Sequence, residues 1–453
     1  MKPLSFFDRL NQWIANSISV KLVSIGILIL IMLIPMTNIK SLISERAGRR
    51  SDAIQEVSEK WGNEQEIAGL ILNIPYTYYY WVKGKEDENQ LRSRIEFAHF
   101  LPESLIFEGE VKPDTRYRGI YEIVVYQSFF NIKGNFAKPD LSDWDIKDED
   151  IHWEDAFVSL GIPDMRGISE NLSIQWNSKS FMFQPGTEID DLIESGVHSK
   201  VKLDPNTEQY QFAFKLDLNG SGRISFVPMG KETTVNLQSS WVNPSFDGAF
   251  LPKEREVNDQ GFKASWKVLH LNRNFPQKWT DRSYSFSESA FGVQLFLPVD
   301  QYQRSYRSAK YALMFITLTF LVFFFVEIIN KLRIHPFQYI LVGLGLCLFY
   351  ILLLSLSEHI GFNWAYLLSS SGVVVLIFLY SFSIFKKSML SFMMFGLLII
   401  LYSFLFIILQ EQDFSLLIGS VALFFILSFV MYLSRNVNWY HHTEVKPSEL
   451  NEI

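Results

Sequence analysis

Hydrophobic positions fall into three regimes along the chain. One apolar run, 22–36 (VSIGILILIMLIP at its heart), lies near the start; about 270 mostly polar residues follow; five further apolar runs close the sequence. Those five occupy roughly 310–330, 339–357, 364–385, 388–409 and 415–433, each close to the ~20 residues that cross a hydrocarbon layer. Their connectors are too short to fold as a soluble domain. The pattern predicts six transmembrane helices in a 1+5 arrangement. No small-x-small cleavage site follows the first run, so 22–39 reads as an uncleaved anchor behind a short amphipathic lead, 1–21.

The polar middle carries two periodicities. Over 41–68, Ile43, Ala47, Ile54, Val57 and Trp61 recur at three- and four-residue intervals. That spacing predicts a helical stalk with a charged outer face, broken at WGNEQ. From about 69 to 308 short runs rich in Tyr, Phe, Val and Ile alternate with Gly, Pro, Asn and Asp, which reads as strands. In QFAFKLDL the residues Phe212, Phe214, Leu216 and Leu218 share one face, the mark of a strand buried on one side. Turn signals about every ten residues predict a sandwich or open barrel. A short helix is expected near 190–194. The fold class is therefore α+β: a large β-rich, sandwich-like domain inserted between the first and second of six membrane helices, with 309–434 as a five-helix bundle and 435–453 as a tail.

Charge orients this arrangement. Lys331 and Arg333 fill one connector, Glu358 and His359 the next, Lys386 and Lys387 the third, Glu411 and Asp413 the fourth. Lys and Arg in short loops mark the cytoplasmic side, so both termini are expected inside and the β domain outside. The net charge of −7 argues against a nucleic-acid binder. The single cysteine, Cys347, sits in an apolar run, which excludes an intramolecular disulfide or a thiol-based site in the β domain.

Several stretches resemble the CreD family of bacterial inner-membrane proteins, also called cell-envelope integrity proteins. They are ERAGRRSDAIQEVSEKWGNEQEIAGLILNIPY (45–76), TRYRGIYEIVVY (115–126), GIPDMRGI (161–168), SSWVNPSFDGAFLP (239–252), LNRNFPQKW (271–279) and the long block 291–362. Order and spacing agree over nearly the whole chain. One departure is Leu70, where the family usually has Pro after Gly69, which is expected to soften a turn. The resemblance implies a multi-pass inner-membrane protein with a periplasmic domain, associated with envelope stress, colicin tolerance and two-component control. It supplies no catalytic residue.

The residues themselves offer few candidates for chemistry. A pump needs ionisable groups at mid-membrane, and the apolar runs hold almost none. Glu327 falls near a helix end beside Lys331 and Arg333 and reads as an interfacial ion pair. Glu358 and His359 read as interfacial anchors, and His335 before Pro336 as a helix cap. GSG at 220–222 lacks the spacing of a nucleophile elbow and reads as a hairpin turn. Trp241, Trp266 and Trp279 read as core. RYRG and PDMRG each place Arg beside Gly. Arg116, Arg118, Asp164 and Arg166 either form local pairs at tight turns or offer an anionic partner a bidentate surface. The 298–310 segment, with Tyr302, Tyr306, Arg304, Arg307 and Lys310, reads as an interfacial connector. No catalytic residue, metal ligand set or cofactor is assigned. The expected partners are the lipid bilayer and an envelope component or another membrane protein, with oligomeric state left open. Lipid handling by the bundle and a signalling accessory are the alternatives.

Overall fold

The computed structural model describes residues 18–83, 89–189, 194–204, 206–280, 284–295, 301–330, 332–410 and 415–435. The short helix expected near 190, the 411–413 connector, Lys331 and the tail with His441 and His442 fall outside them. The chain divides into two compact units: Met1–Arg49 with Val299–Ile453, and Arg50–Pro298.

The first unit is helical. Its elements are α1 (Ile18–Trp61, whose last turns belong to the other unit), α2 (Gln301–Lys310), α3 (Ala312–Ile329), α4 (Pro336–Ile360), α5 (Phe362–Phe385), α6 (Ser388–Gln410) and α7 (Ser415–Ser434). Five of these, α1 and α3 to α6, are long and apolar enough to cross a membrane. The sixth expected span is shorter, with an apolar stretch over Leu417–Tyr432 in α7. The 298–310 connector contains a helix, α2, which buries Tyr302, Ser305, Ser308 and Ala309. Glu358 and His359 lie in the last turn of α4 rather than in a loop, because Gly361 alone separates α4 from α5. His335 caps α4: its Nδ1 accepts the Phe337 N–H and Gln338 Oε1 accepts its own N–H.

Polarity does not distinguish the faces of α1 in the apolar run, but packing does. Ile25, Leu28, Met32, Met36, Ile39 and Ile43 are buried, while Val23, Ile27, Leu30, Ile31 and Ile34 are exposed. The buried set recurs every three or four residues, a single helical stripe. It meets α4 where Gly343 has no side chain. A Cβ there would lie 2.8 Å from Met32 Sδ and 2.9 Å from the Phe320 ring. The glycine thus sets the closeness of that helix contact, as small residues do between membrane helices.

The second unit is a two-sheet sandwich. One sheet has nine strands. Its main path runs Pro244–Gly248, Phe291–Leu295, Arg223–Phe226, Gln65–Lys83, Phe157–Gly161, Gly196–Lys200, Gln184–Pro185; Asn89–Phe100 pairs with the outer half of Gln65–Lys83, and Lys278–Trp279 with Asn89–Phe100. The other sheet has eight, in the order Glu254–Asn258, Gly261–Leu269, Glu232–Ser239, Ser104–Arg118, Tyr121–Ala137, Gln209–Ser221, Ser173–Trp176, Lys179–Met182. Most pairings are antiparallel; Gln65–Ile67 with Ile224–Phe226, and Ser104–Val111 with Glu232–Ser239, are parallel. One hydrophobic core joins the sheets. Phe226 of the first sheet packs on Phe107 and Phe130 of the second at 5.2 and 5.4 Å between ring centroids, and Phe291 packs on Trp266 at 5.7 Å. Offset and edge-on aromatic pairs of this kind add to simple burial.

Three local expectations change. The β pattern begins at Gln65 rather than 69, because α1 stops at Trp61. Leu70 is not in a turn: it is fully buried within Gln65–Lys83, where pairing with Phe157–Gly161 shifts register. The GSG turn is not a hairpin. At Gly222, φ +66°, the chain leaves the eight-stranded sheet and enters the nine-stranded one. A positive φ at that sharp passage suits glycine. Gln209–Ser221 alternates buried and exposed along its length, as QFAFKLDL predicts. Trp266 and Trp279 are core residues and Trp241 is half-buried at the edge of that core.

A buried polar chain crosses the nine-stranded sheet. His99 Nδ1 lies 2.8 Å from Asn73 Oδ1, Asn73 Nδ2 donates to Ser159 Oγ (3.0 Å), and Ser159 Oγ donates to the Thr187 carbonyl (3.0 Å). Burial pushes the His99 pKa down from 6.5 to about 4. Because the folded value lies below the unfolded one, the fold is fully stable with respect to this group above pH ~6.5. Stability is lost as pH falls toward 4, by on the order of 3 kcal/mol in total. Unfolding followed by tryptophan fluorescence at pH 7 and pH 4.5 should show the β unit destabilised in acid, and His99→Gln should reduce that difference.

Candidate functional site

The residues singled out in the sequence gather along α1 and form separate clusters. In the β unit, Arg116, Arg118, Asp164 and Arg166 all lie around its last turns. Arg118 donates from Nη2 and Nε to the Glu56 carboxylate at 3.0 and 3.1 Å. The Arg116 guanidinium covers the Trp61 ring at 4.9 Å and pairs with Asp114 at 3.0 Å. Trp61 Nε1 donates to the Tyr126 carbonyl. Asp164 is the buried member. Its oxygens accept from Arg166 Nε (2.8 Å), Nη2 (2.9 Å) and backbone N–H (3.2 Å), and from Asn63 N (3.0 Å) and Nδ2 (2.9 Å). The Arg166 side chain and these other donors hold its carboxyl below the usual range, against the opposing effect of burial. The arrangement is a joint where helix gives way to strand, with Asp164 buried and the Arg116, Arg118 and Arg166 side chains 50%, 60% and 57% exposed.

In the helical unit, Glu327 is 3% exposed. Its expected partners were Lys331 and Arg333. Among the described residues the cation it meets is Lys21 of α1, Nζ to Oε1 2.7 Å, while Tyr339 of α4 donates to Oε2 at 2.9 Å and the Ile334 N–H approaches Oε1 at 3.4 Å. Glu358 accepts the Tyr302 hydroxyl at 2.9 Å and has Arg46 of α1 at 3.9 Å. His359, beside it, is exposed and points elsewhere, as adjacent helical positions do. Beside Glu327 lies a crevice of about 400 Å³, and between α5 and α6 a largely apolar groove of about 670 Å³ with Trp364, Ser371, Tyr402 and Ser403 in its lining.

A further feature of the β unit went unremarked in the sequence. Beyond Tyr76 and Glu96, Gln65–Lys83 and Asn89–Phe100 pair only with each other among the described residues, making a two-stranded arm. One face carries Tyr78 and Tyr80, stacked at 6.4 Å, with the Arg94 guanidinium 5.5 Å from each ring. The other carries Tyr79, Trp81, Leu91 and Ile95, which are 51%, 68%, 53% and 53% exposed. The signal was the run TYYYW: aromatics at consecutive strand positions must occupy both faces, which a half-buried strand does not need.

Two comparisons bear on this architecture. The family model described as inner membrane protein CreD matches residues 17–440. The chain is 33% identical over 437 residues, 96% of each sequence, to the inner membrane protein CreD of Escherichia coli strain K12. The chain belongs to the CreD family. Membership and the apolar helices together make this CreD protein a multi-pass inner-membrane protein.

Two stability tests follow from the clusters of this CreD chain. Asp164→Ala orphans the Asn63 and Arg166 donors and should cost about 2–3 kcal/mol. Arg166→Ala, removing a largely exposed partner, should cost within about 1 kcal/mol; thermal unfolding of the purified protein separates the two. Lys21→Met strands a buried carboxylate and should lower stability by about 3–5 kcal/mol. Lys21→Met with Glu327→Gln should recover most of that loss, read as abundance in the membrane and as melting temperature in detergent.

Proposed function

We propose that this protein supports envelope integrity without catalysis, by docking a protein partner of the envelope on the aromatic arm of its β unit. The alternating charge of the connectors supports a periplasmic location for that unit, with both termini cytoplasmic. The observation that carries the reading is the arm's exposed face of Tyr79, Trp81, Leu91 and Ile95. Contiguous apolar surface of this kind marks interaction sites, and Trp, Tyr and Arg dominate binding energy at protein interfaces. Unpaired strand edges on both sides of the arm offer main-chain donors and acceptors as well. Arg116, Arg118 and Arg166, the earlier candidates for a binding surface, are engaged with Glu56, Trp61, Asp114 and Asp164, which favours the arm over them.

A second reading, lipid handling by the bundle, is favoured by the apolar groove between α5 and α6. One rescue experiment separates the two. In a strain lacking the protein and showing an envelope defect, Trp81→Ser with Leu91→Ser and Ile95→Ser should be present at normal abundance and fail to rescue. Ser371→Phe with Ser403→Phe, which fills the groove from its lining, should rescue fully. The reverse pattern would put the activity in the bundle.

A further inference from the structure

The crevice beside Glu327 has a composition that the ion pair does not explain. Its walls come from the start of α1, the end of α3, the 332–335 loop and α4. Its lining combines the apolar groups Val20, Ile25 and Leu28 with the charged groups Lys21, Glu327 and Arg333. The carboxylate is already satisfied: Lys21 takes one oxygen, Tyr339 the other, and the Ile334 N–H approaches the first. Arg333 is exposed and makes no ion pair among the described residues. Among the described lining residues, two cations against one carboxylate leave one positive charge in excess, and the Arg333 guanidinium has no partner among the described residues.

We propose that this crevice binds an anionic phospholipid, its phosphate on Arg333 and Lys21 and the start of an acyl chain along Val20, Ile25 and Leu28. Arginine's planar fork matches phosphate oxygens in pairs. Lys21 retains two ammonium protons beyond the one given to Glu327. Tyr339 holds the second Glu327 oxygen, which reduces its repulsion of an incoming anion. The apolar wall distinguishes a lipid from a soluble phosphate, which would leave that wall facing water. Basic pockets between membrane helices select anionic headgroups in this way. The site is independent of the arm and of the groove between α5 and α6.

The test uses the full-length protein in detergent, with binding measured by thermal shift and native mass spectrometry. Phosphatidylglycerol should bind and raise the melting temperature, and phosphatidylethanolamine should do so far less. Arg333→Gln, a substitution in an exposed loop, should weaken phosphatidylglycerol binding roughly tenfold or more. Ser24→Phe, which fills the crevice without changing charge, should abolish the preference. Equal binding of the two lipids, or undiminished phosphatidylglycerol binding by Arg333→Gln at an unchanged melting temperature of the lipid-free protein, overturns the proposal. A full shift produced by inorganic phosphate overturns the assignment to lipid.

Discussion

A carboxylate taken out of water must meet a cation and hydrogen-bond donors, or it is expelled or protonated. Glu327 is the clearest instance in the helical unit, and the packing of α1 follows from how its need is met. Lys21 supplies the cation from one end of the apolar run, and Arg46 stands by Glu358 at the other. At 1.5 Å per residue those rungs are about 37 Å apart, slightly more than the ~30 Å hydrocarbon. Both ion pairs therefore fall at interfacial depth, where charges are tolerable. Glu327 closes α3 and Glu358 closes α4, and successive antiparallel helices bring those two ends to opposite sides. The charges set the height of α1; the stripe from Ile25 to Ile43, seated against Gly343, sets its rotation.

This division of labour has an energetic logic. Between helices in lipid, burying one more isoleucine gains little, because lipid tails are as apolar as the neighbouring helix. Shape and polar contacts must then supply specificity. The Gly343 notch provides shape and the Lys21–Glu327–Tyr339 cluster provides polarity, and they act on the same three helices, α1, α3 and α4. In the β unit, where water is the competing solvent, the usual hydrophobic drive returns. Aromatic pairs across the two sheets carry that core.

What could be read from the sequence was what is local. Runs of apolar residues announced the membrane helices, and the alternation in QFAFKLDL announced a half-buried strand. Misreadings came where a neighbour in space was distant in the chain. Arg333 is the nearest described cation to Glu327 in sequence, yet Lys21, 306 positions away, holds it. The GSG turn looks like a hairpin because a sheet switch and a hairpin begin with the same glycine, and only the partners of Arg223–Phe226 tell them apart. The stalk boundary at 68 lay past the WGNEQ break, whereas the helix stops at Trp61 and a strand begins at Gln65.

The Arg-Gly motifs and the arm differ in what their side chains already contact. Arg116, Arg118 and Arg166 are chemically suited to an anionic ligand, and each is largely exposed. Each already spends part of its donor fork on a carboxylate held by the same fold, Glu56, Asp114 or Asp164, which lessens the gain from a further anion. Tyr79, Trp81, Leu91 and Ile95 have far less to surrender. Tyr79 gives one hydrogen bond to Asp150, and Trp81 lies directly opposite Leu91 across the two strands. Water is the main competitor for that face, and release of water is the most general driving force for association. A two-stranded ribbon is marginally stable alone, so selection for folding does not account for a tryptophan and two aliphatic side chains held in solvent. That placement is the ground on which a covering partner is proposed.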